Sequence, residues 1–270
     1  MLFKPFFYEP AKHLYKLVSD PEYLTWCILD TRLGKAKRFT ERKASVHEWN
    51  ISMPDTASFL SAYKEIFVNK IYDFKSHSDQ PRILDLGANI GLSILFFKTI
   101  YPKAKITAFE ADPHIFRYVE NNVHGNGFND VELINKAVWN ENCVLKFHAE
   151  GADGGRVAEI GDENFIEIEA IDIREFLGNN QFDFLKMDIE GAEETVFPAC
   201  REYLSGFNYI FLEYHSKVGQ KQCLAELLGL MVENGFRIDV HSLISSKQPF
   251  TKSKATSDFD LQLNVFAWKE

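Results

Sequence analysis

The sequence predicts an α/β fold built on a mostly parallel sheet. Three observations predict it. Short apolar segments alternate with segments of helical period, those apolar segments are too uniformly hydrophobic to face water, and the first of them runs into a glycine turn that opens a helix. Composition agrees: of 270 residues, 46% are hydrophobic and 26% charged, which excludes a fibrous or disordered chain. No apolar run approaches the ~20 residues needed to span a bilayer. The aromatic start, Met1 to Phe7, is broken by Lys4, Pro5 and Glu9 and lacks the pattern of a secretory signal, so a cytoplasmic location is expected.

The net charge of −9 argues against a broad basic footprint, and no nucleic-acid partner is expected. Cys27, Cys143, Cys200 and Cys223 are scattered, which favours reduced thiols over a disulfide framework or a structural zinc site. No internal repeat appears.

Taken in order, Glu9 to Val18 and Pro21 to Leu33 have helical spacing, and Arg42 to Ser52 alternates as a strand or hairpin. Asp55 is placed to cap a helix over roughly Ser58 to Tyr72. The polar stretch from Lys75 to Pro81 marks a boundary, dividing an N-terminal extension (1–75) from the main domain (76–270). Within that domain Arg82 to Leu86, Lys105 to Glu110 and Val131 to Asn135 are strands, separated by helices over Leu92 to Tyr101 and Pro113 to His124. The rhythm breaks at 140–171, where two alternating segments among glycines predict a β-hairpin insertion. It resumes with a strand at Phe182 to Ile189, a helix from Ala192 to Leu204, a strand at Tyr209 to Tyr214 and a helix from Gln220 to Asn234. Phe236 to His241 and Leu261 to Trp268 have no helix between them, so they are expected to pair antiparallel at a sheet edge.

Three segments carry the chemistry. In Leu84-Asp85-Leu86-Gly87-Ala88-Asn89-Ile90-Gly91 the turn brings backbone close to a ligand at a helix N-terminus. Aligned on the dinucleotide pattern GxGxxG, Asn89 stands where the second glycine belongs and Leu92 where the third belongs, so the glycine that admits a pyrophosphate is missing. Asp85 suits an amino group better than a phosphate. Glu110 ends the next strand, where nucleotide-binding sheets place a carboxylate that accepts both ribose hydroxyls; taken singly it could equally cap the helix behind Asp112-Pro113. An adenosine with free ribose hydroxyls, joined to an amino-bearing group without pyrophosphate, describes S-adenosylmethionine. The third segment, Lys186-Met187-Asp188-Ile189-Glu190-Gly191-Ala192-Glu193, lies at the C-terminal end of an apolar strand. Period-two alternation puts Lys186 and Asp188 on one face, where buried charge needs a partner or a task. Glu193 is adequately explained as a helix N-terminal carboxylate. Glu213-Tyr214-His215 adds titratable groups one strand further on.

Together DLGANIG (85–91), AFEADP (108–113), NKAV (135–138), KMDIEGAE (186–193) and FLEYH (211–215) resemble the FkbM-type family of S-adenosylmethionine-dependent methyltransferases, over roughly residues 50–240. The resemblance implies a Rossmann-like class I methyltransferase sheet of seven strands, the last antiparallel. It implies that Asp85, Gly87, Asn89 and Gly91 surround the methionine part of the cofactor. Glu110, with Ala111 beside it, would hold the ribose, Lys136 and Ala137 would border the adenine, and Asp188 would lie near the sulfonium. The product would be S-adenosylhomocysteine, and the acceptor a hydroxyl of a sugar, glycan or natural product.

A hydroxyl acceptor needs its proton removed as the bond forms. Asp188 or His215 is the expected base, with Lys186 orienting the carboxylate or the substrate and Glu190 and Glu193 secondary. A divalent ion on Asp188, Glu190, Glu193 and Glu213 is an alternative that ranks below the metal-free site, because the spacing matches no metal motif. Two other functions compete: a NAD(P)-dependent reductase or epimerase, which needs the missing glycines, and a non-catalytic cofactor-binding protein. The aromatic residues Phe3, Phe6, Phe7, Tyr8 and Tyr15 dock on the core, lid the acceptor or form a homodimer contact. The 140–171 hairpin, with Arg156, and the loop at 243–258 are expected to shape the acceptor pocket.

Overall fold

The computed structural model describes residues 4–152, 154–158, 165–251 and 259–270. At its centre is a seven-stranded sheet. β3 (Arg82–Leu86), β4 (Lys105–Phe109) and β5 (Glu132–Ile134) run outward in one direction, and β10 (Phe184–Met187) and β11 (Tyr209–Lys217) in the other. β13 (Phe259–Trp268) follows β11, and β12 (Arg237–Ser245) forms the edge. β13 alone runs antiparallel, to both β11 and β12, because the chain returns from β12 without a crossover helix. The expected edge pair therefore forms, but its later strand is inserted between its partner and the parallel strands.

Strand order reverses between β3 and β10. That is the switch point at which open α/β sheets hold ligands, beyond the strand C-termini. Register makes the position specific: Asp85 stands directly opposite Lys186, and Leu86 opposite Met187. On the far side of β11, Glu213 faces Asn264 and His215 faces Gln262 across the ladder to β13.

Period-two alternation splits the core. Ile83, Ala108, Phe184 and Phe211 pack under α4 (Leu92–Ile100), α5 (Pro113–Val123) and the N-terminal elements. Leu84, Leu86, Leu185 and Leu212 pack on the other face, under α6 (Ile173–Asn179), α7 (Glu193–Ala199) and α8 (Leu224–Glu233). Asp85, Lys186, Glu213 and His215 have the parity of the first face, so the charged residues share one side of the sheet.

The N-terminal residues form α1 (Lys4–Ser19), α2 (Pro21–Leu33), a hairpin of β1 (Arg42–Val46) and β2 (Trp49–Met53), and α3 (Thr56–Tyr63). Asp55 caps α3, accepting from the Ser58 N–H at 3.0 Å. The single helix expected as far as Tyr72 is not continuous. It passes into a π-turn at Lys64–Val68, where the Asn69 N–H reaches back to the Lys64 carbonyl at 2.9 Å. α7 is also shorter than expected, with Pro198 in its last turn and a 3₁₀ stretch, Arg201–Gly206, behind it.

Between β5 and β10 the chain builds a second sheet from β6 (Ala137–Trp139), β7 (Cys143–His148), β8 (Arg156–Val157) and β9 (Ile166–Asp172), in the order β6-β9-β7-β8. The hairpin is the antiparallel β7–β9 pair, and β6 joins it in parallel. Phe3 and Gly161 lie outside the described residues, as do the side chains of Phe6, Phe7 and Tyr8 and the loop at 252–258; Tyr15 on α1 is exposed. All four cysteines are free thiols. No helix among the described residues is long and apolar enough to cross a membrane.

Candidate functional site

The glycine turn after β3 is built by close backbone contact. Gly87 has φ +86°, and its N–H and that of Ala88 donate to the Phe109 carbonyl at 3.0 and 2.8 Å. A Cβ on Gly87 would meet the Asp188 carbonyl oxygen. Asn89 also takes a left-handed conformation, φ 49°, which asparagine tolerates better than other side chains. Gly91, φ +90°, opens α4 against Val119 and Val123.

Glu110 ties this turn to the next strand end. One carboxylate oxygen accepts from Asn89 N–H at 2.8 Å, the other from Asp112 N–H at 2.9 Å. Burial pushes its pKa up to about 7, against those two N–H groups and the Lys186 charge. Each oxygen keeps a lone pair for an incoming donor. A cleft of about 740 Å³ opens here, lined by Gly87, Asn89, Glu110 and Ala111 on one side and by Lys136, Ala137 and Val157 on the other. Lys136 is held toward the second sheet by Glu169 at 2.7 Å.

Beneath the turn lies an ion network. Lys186 is 3% exposed, 3.3 Å from Asp85 and 3.6 Å from Asp188, and also donates to the Gly87 carbonyl. Asp85 is fully buried, accepts from Ser93 Oγ at 2.5 Å and lines neither cavity; the amino group it meets is that of Lys186. Burial and the neighbouring Glu213 carboxylate push Asp188 up to about 7, while Lys186 and His215 pull it down.

His215 is buried in carboxylates. Its Nδ1 lies 3.2 Å from Glu193, its Nε2 3.5 Å from Glu213 and 3.6 Å from Glu190. Burial opposes its charge, but Glu193, Glu213 and Glu190 raise its pKa well above the usual imidazole value, which favours the charged ring. Burial drives Glu190 well above the usual carboxylate range, and its φ of 55° is unusual for a glutamate. Glu193 is a cap, as sequence reasoning allowed, accepting from the Ile189 and Gly191 N–H groups at 2.9 Å each. Asp188, Glu213 and His215 present ligand atoms within 4.8 Å of one another, the one such metal-capable group among the described residues. Their charges are already paired internally, and Lys186 stands beside them.

A second, larger cavity of about 1300 Å³ meets the first at Gly87, Asn89, Asp188 and Glu190. Its opposite wall comes from α3 and the π-turn, with Glu65 and Tyr72, and from Glu213 and Gln262 on the sheet.

The family model described as "Methyltransferase FkbM domain" matches residues 85–238, more than half the chain. The chain belongs to the FkbM family of S-adenosylmethionine-dependent methyltransferases. It is 31% identical over 182 residues to "Methyltransferase sdnD" of Sordaria araneosa, a match covering 52% of this chain and 68% of that protein. It is 27% identical over 159 residues to "Methyltransferase 1" of Beauveria bassiana (strain ARSEF 2860), covering 50% and 64%. With "2-O-methyltransferase NoeI" of Sinorhizobium fredii (strain NBRC 101917 / NGR234) it shares 24% over 155 residues, covering 50% and 63%. The chain thus spans about two-thirds of these relatives. Among solved structures, the FkbM methyltransferase of Methylobacillus flagellatus KT matches at 14% identity and a TM-score of 0.48, over 94% of this chain and 60% of that one.

In this FkbM chain the fold brings Gly87, Asn89, Glu110, Ala111, Lys136, Ala137, Asp188 and Glu190 into one cleft. Gly91 and Asp85 support the turn from behind. Sequence reasoning did not single out Glu65, Tyr72 or Gln262, which join the larger cavity. No motif surrounds them, and only packing of the N-terminal segment over the sheet brings them there.

Proposed function

We propose that this methyltransferase transfers a methyl group to a hydroxyl of a sugar, glycan or natural-product acceptor. The carrying observation is the Asp188 carboxylate, set where the two cavities meet, with its pKa near neutrality and an ammonium holding it in place. S-adenosylmethionine fits the smaller cleft on the chemistry of its donors and acceptors. Glu110 offers free lone pairs for ribose hydroxyls, the bare Gly87 backbone leaves no side chain in the way, and Ala137 with Lys136 borders the far end. When bound, the cofactor supplies a methyl group on a good leaving group.

The chain's own residues do the rest. Asp188 accepts the proton of the acceptor hydroxyl, its pKa matched to neutral pH. Lys186 is a positioning residue, fixing Asp188 against Gly87 and Asp85. His215 is the weaker base of the two expected, because both its nitrogens face carboxylates, which raise its pKa and favour its charged form. Glu190, pushed up by burial and 3.6 Å from His215, is the secondary candidate. The 2-O-methyltransferase named among the relatives supports a hydroxyl acceptor.

Calorimetry with S-adenosylmethionine and with NADH, followed by an acceptor screen for S-adenosylhomocysteine release, tests this. Binding of S-adenosylmethionine and release with a hydroxyl acceptor are expected. Binding of NADH alone would overturn the proposal, and binding of neither would favour a non-catalytic chain.

A further inference from the structure

The wall of the larger cavity facing Asp188 is unusual in its charge and in one unsatisfied hydroxyl. The π-turn swings Glu65 toward the sheet, where burial and then the charge of Glu213 raise its pKa. Of the nearby cations, Lys64 lies over the Trp26 ring at 4.7 Å and only pulls the Glu65 pKa down at a distance, Arg38 pairs with Asp55 at 2.8 Å, and Lys186, on the same cavity wall, is held by Asp85 at 3.3 Å and Asp188 at 3.6 Å. Among the described residues Glu65 makes no ion pair, its carboxylate receiving only the Asn264 amide. Glu213, which also lines this cavity, is held by Gln262 and His215. Tyr72, 4% exposed, lines the same cavity as these carboxylates. Its ring is locked edge-on to Phe211 at 4.8 Å and stacked on Phe97 at 5.7 Å. Among the described residues its hydroxyl has no hydrogen-bond partner. A hydroxyl without a protein partner, beside a Glu65 carboxylate that makes no ion pair, asks for a ligand that donates hydrogen bonds and carries positive charge, with Glu213, already paired with His215, as a second carboxylate on the same wall.

The sulfonium of the donor does not meet this need, since it belongs beside Gly87 and Asp188, and neither Glu65 nor Tyr72 lines the donor cleft. Resting on the methyltransferase function proposed above, we infer that the acceptor is a hydroxylated amine, with its ammonium group bound by Glu65 and Glu213 and a neighbouring polar group bound by the Tyr72 hydroxyl. The methylated hydroxyl then lies toward Asp188, so the ammonium end sets which hydroxyl is presented.

The full chain, saturated with S-adenosylhomocysteine, is titrated calorimetrically with D-glucosamine, N-acetyl-D-glucosamine and D-glucose. These share one ring and differ in the group at one carbon. Glucosamine is expected to bind at least about tenfold more tightly than the other two, the difference one charge-assisted contact makes. Glu65→Gln is expected to abolish that preference, and Tyr72→Phe to weaken glucosamine binding about threefold, both with unchanged S-adenosylhomocysteine affinity. Wild-type binding alone decides the matter if either variant fails to fold. Equal binding of the three sugars, or no binding of glucosamine, overturns the inference while leaving the methyltransferase function standing. Failure of S-adenosylhomocysteine itself to bind overturns both.

Discussion

The carbonyl oxygen of Asp188 passes so close to Gly87 that a Cβ there would lie 1.9 Å away. The donor turn after β3 and the candidate base after β10 are therefore in backbone contact, and displacing one displaces the other. Gly87→Ala is expected to cost about 2–4 kcal/mol, combining a positive φ with an overpacked contact, and to abolish donor binding. Urea unfolding and calorimetry check it; a stable variant that still binds S-adenosylhomocysteine would refute the contact.

Glu110 does two things at once, bridging Asn89 and Asp112 and facing the donor cleft. Glu110→Ala strands both N–H groups and removes the ribose partner. Donor affinity is expected to fall about 100-fold, since each lost partner costs about 1–3 kcal/mol. Glu110→Gln, which keeps one acceptor oxygen, is expected to lose less. Equal affinity of wild type and both variants in calorimetry would remove Glu110 from the site.

Activity and stability should move oppositely with pH. Asp188 is raised from 3.8 to about 7 by burial and Glu213, with Glu193 adding and Lys186 and His215 opposing; Glu110 is raised from 4.5 to about 7 by burial. The folded chain holds these protons more tightly than the unfolded one. The stability they contribute is therefore complete below about pH 4 and lost as pH rises through 7. The melting temperature without donor is expected to be lower at pH 8 than at pH 5.5. The log of kcat/KM should rise with a slope of about one below pH 7 and then level, as a base with that pKa requires. Asp188→Asn should remove this limb and about 10²–10⁴-fold of the rate. A profile flat from pH 5 to 8 in the wild type would point to another base.

Lys186 and Asp85 stand opposite each other in the ladder, both buried. Lys186→Met leaves an unpaired charge inside the sheet and is expected to cost about 3–5 kcal/mol. Adding Asp85→Leu should recover most of it in denaturant unfolding, because the pair is then replaced rather than broken. No recovery in the double variant would mean that Lys186 stabilises through Asp188 and the Gly87 carbonyl instead.

Chelation should leave the rate unchanged. His215 is clamped by Glu193, Glu213 and Glu190, and Lys186 neutralises Asp188, so the carboxylates have protein cations for partners. Activity lost in EDTA and restored by Mg²⁺ would reverse this ranking.

The sheet was legible because its signals are local. Strands such as RILDL and FLKM put apolar residues on both faces apart from one buried charge each, and helices with an Asp cap or a glycine turn announce their starts. The glycine turn after β3 was legible for the same reason: Gly87, Asn89 and Glu110 depend on backbone geometry that short segments specify. The boundaries that slipped lay where local signals were weak. Nothing in the run from Ser58 to Tyr72 announces a π-turn, which packing over the sheet imposes, and β12 and β13 extend into a segment that reads as polar loop.

By itself, then, the sequence determined the alternating architecture and the strand ends that carry Gly87, Glu110 and Asp188, both consequences of periodicity and glycine placement. The tertiary structure alone decided that His215 is clamped among carboxylates, that Lys186 sits between Asp85 and Asp188, and that Glu65 and Tyr72 face the same space as Glu213. Those facts depend on strand register and on a helix folded back across the sheet. A pKa or a cavity is set by which distant charges share a low-dielectric space, and spacing along the chain carries no record of that distance.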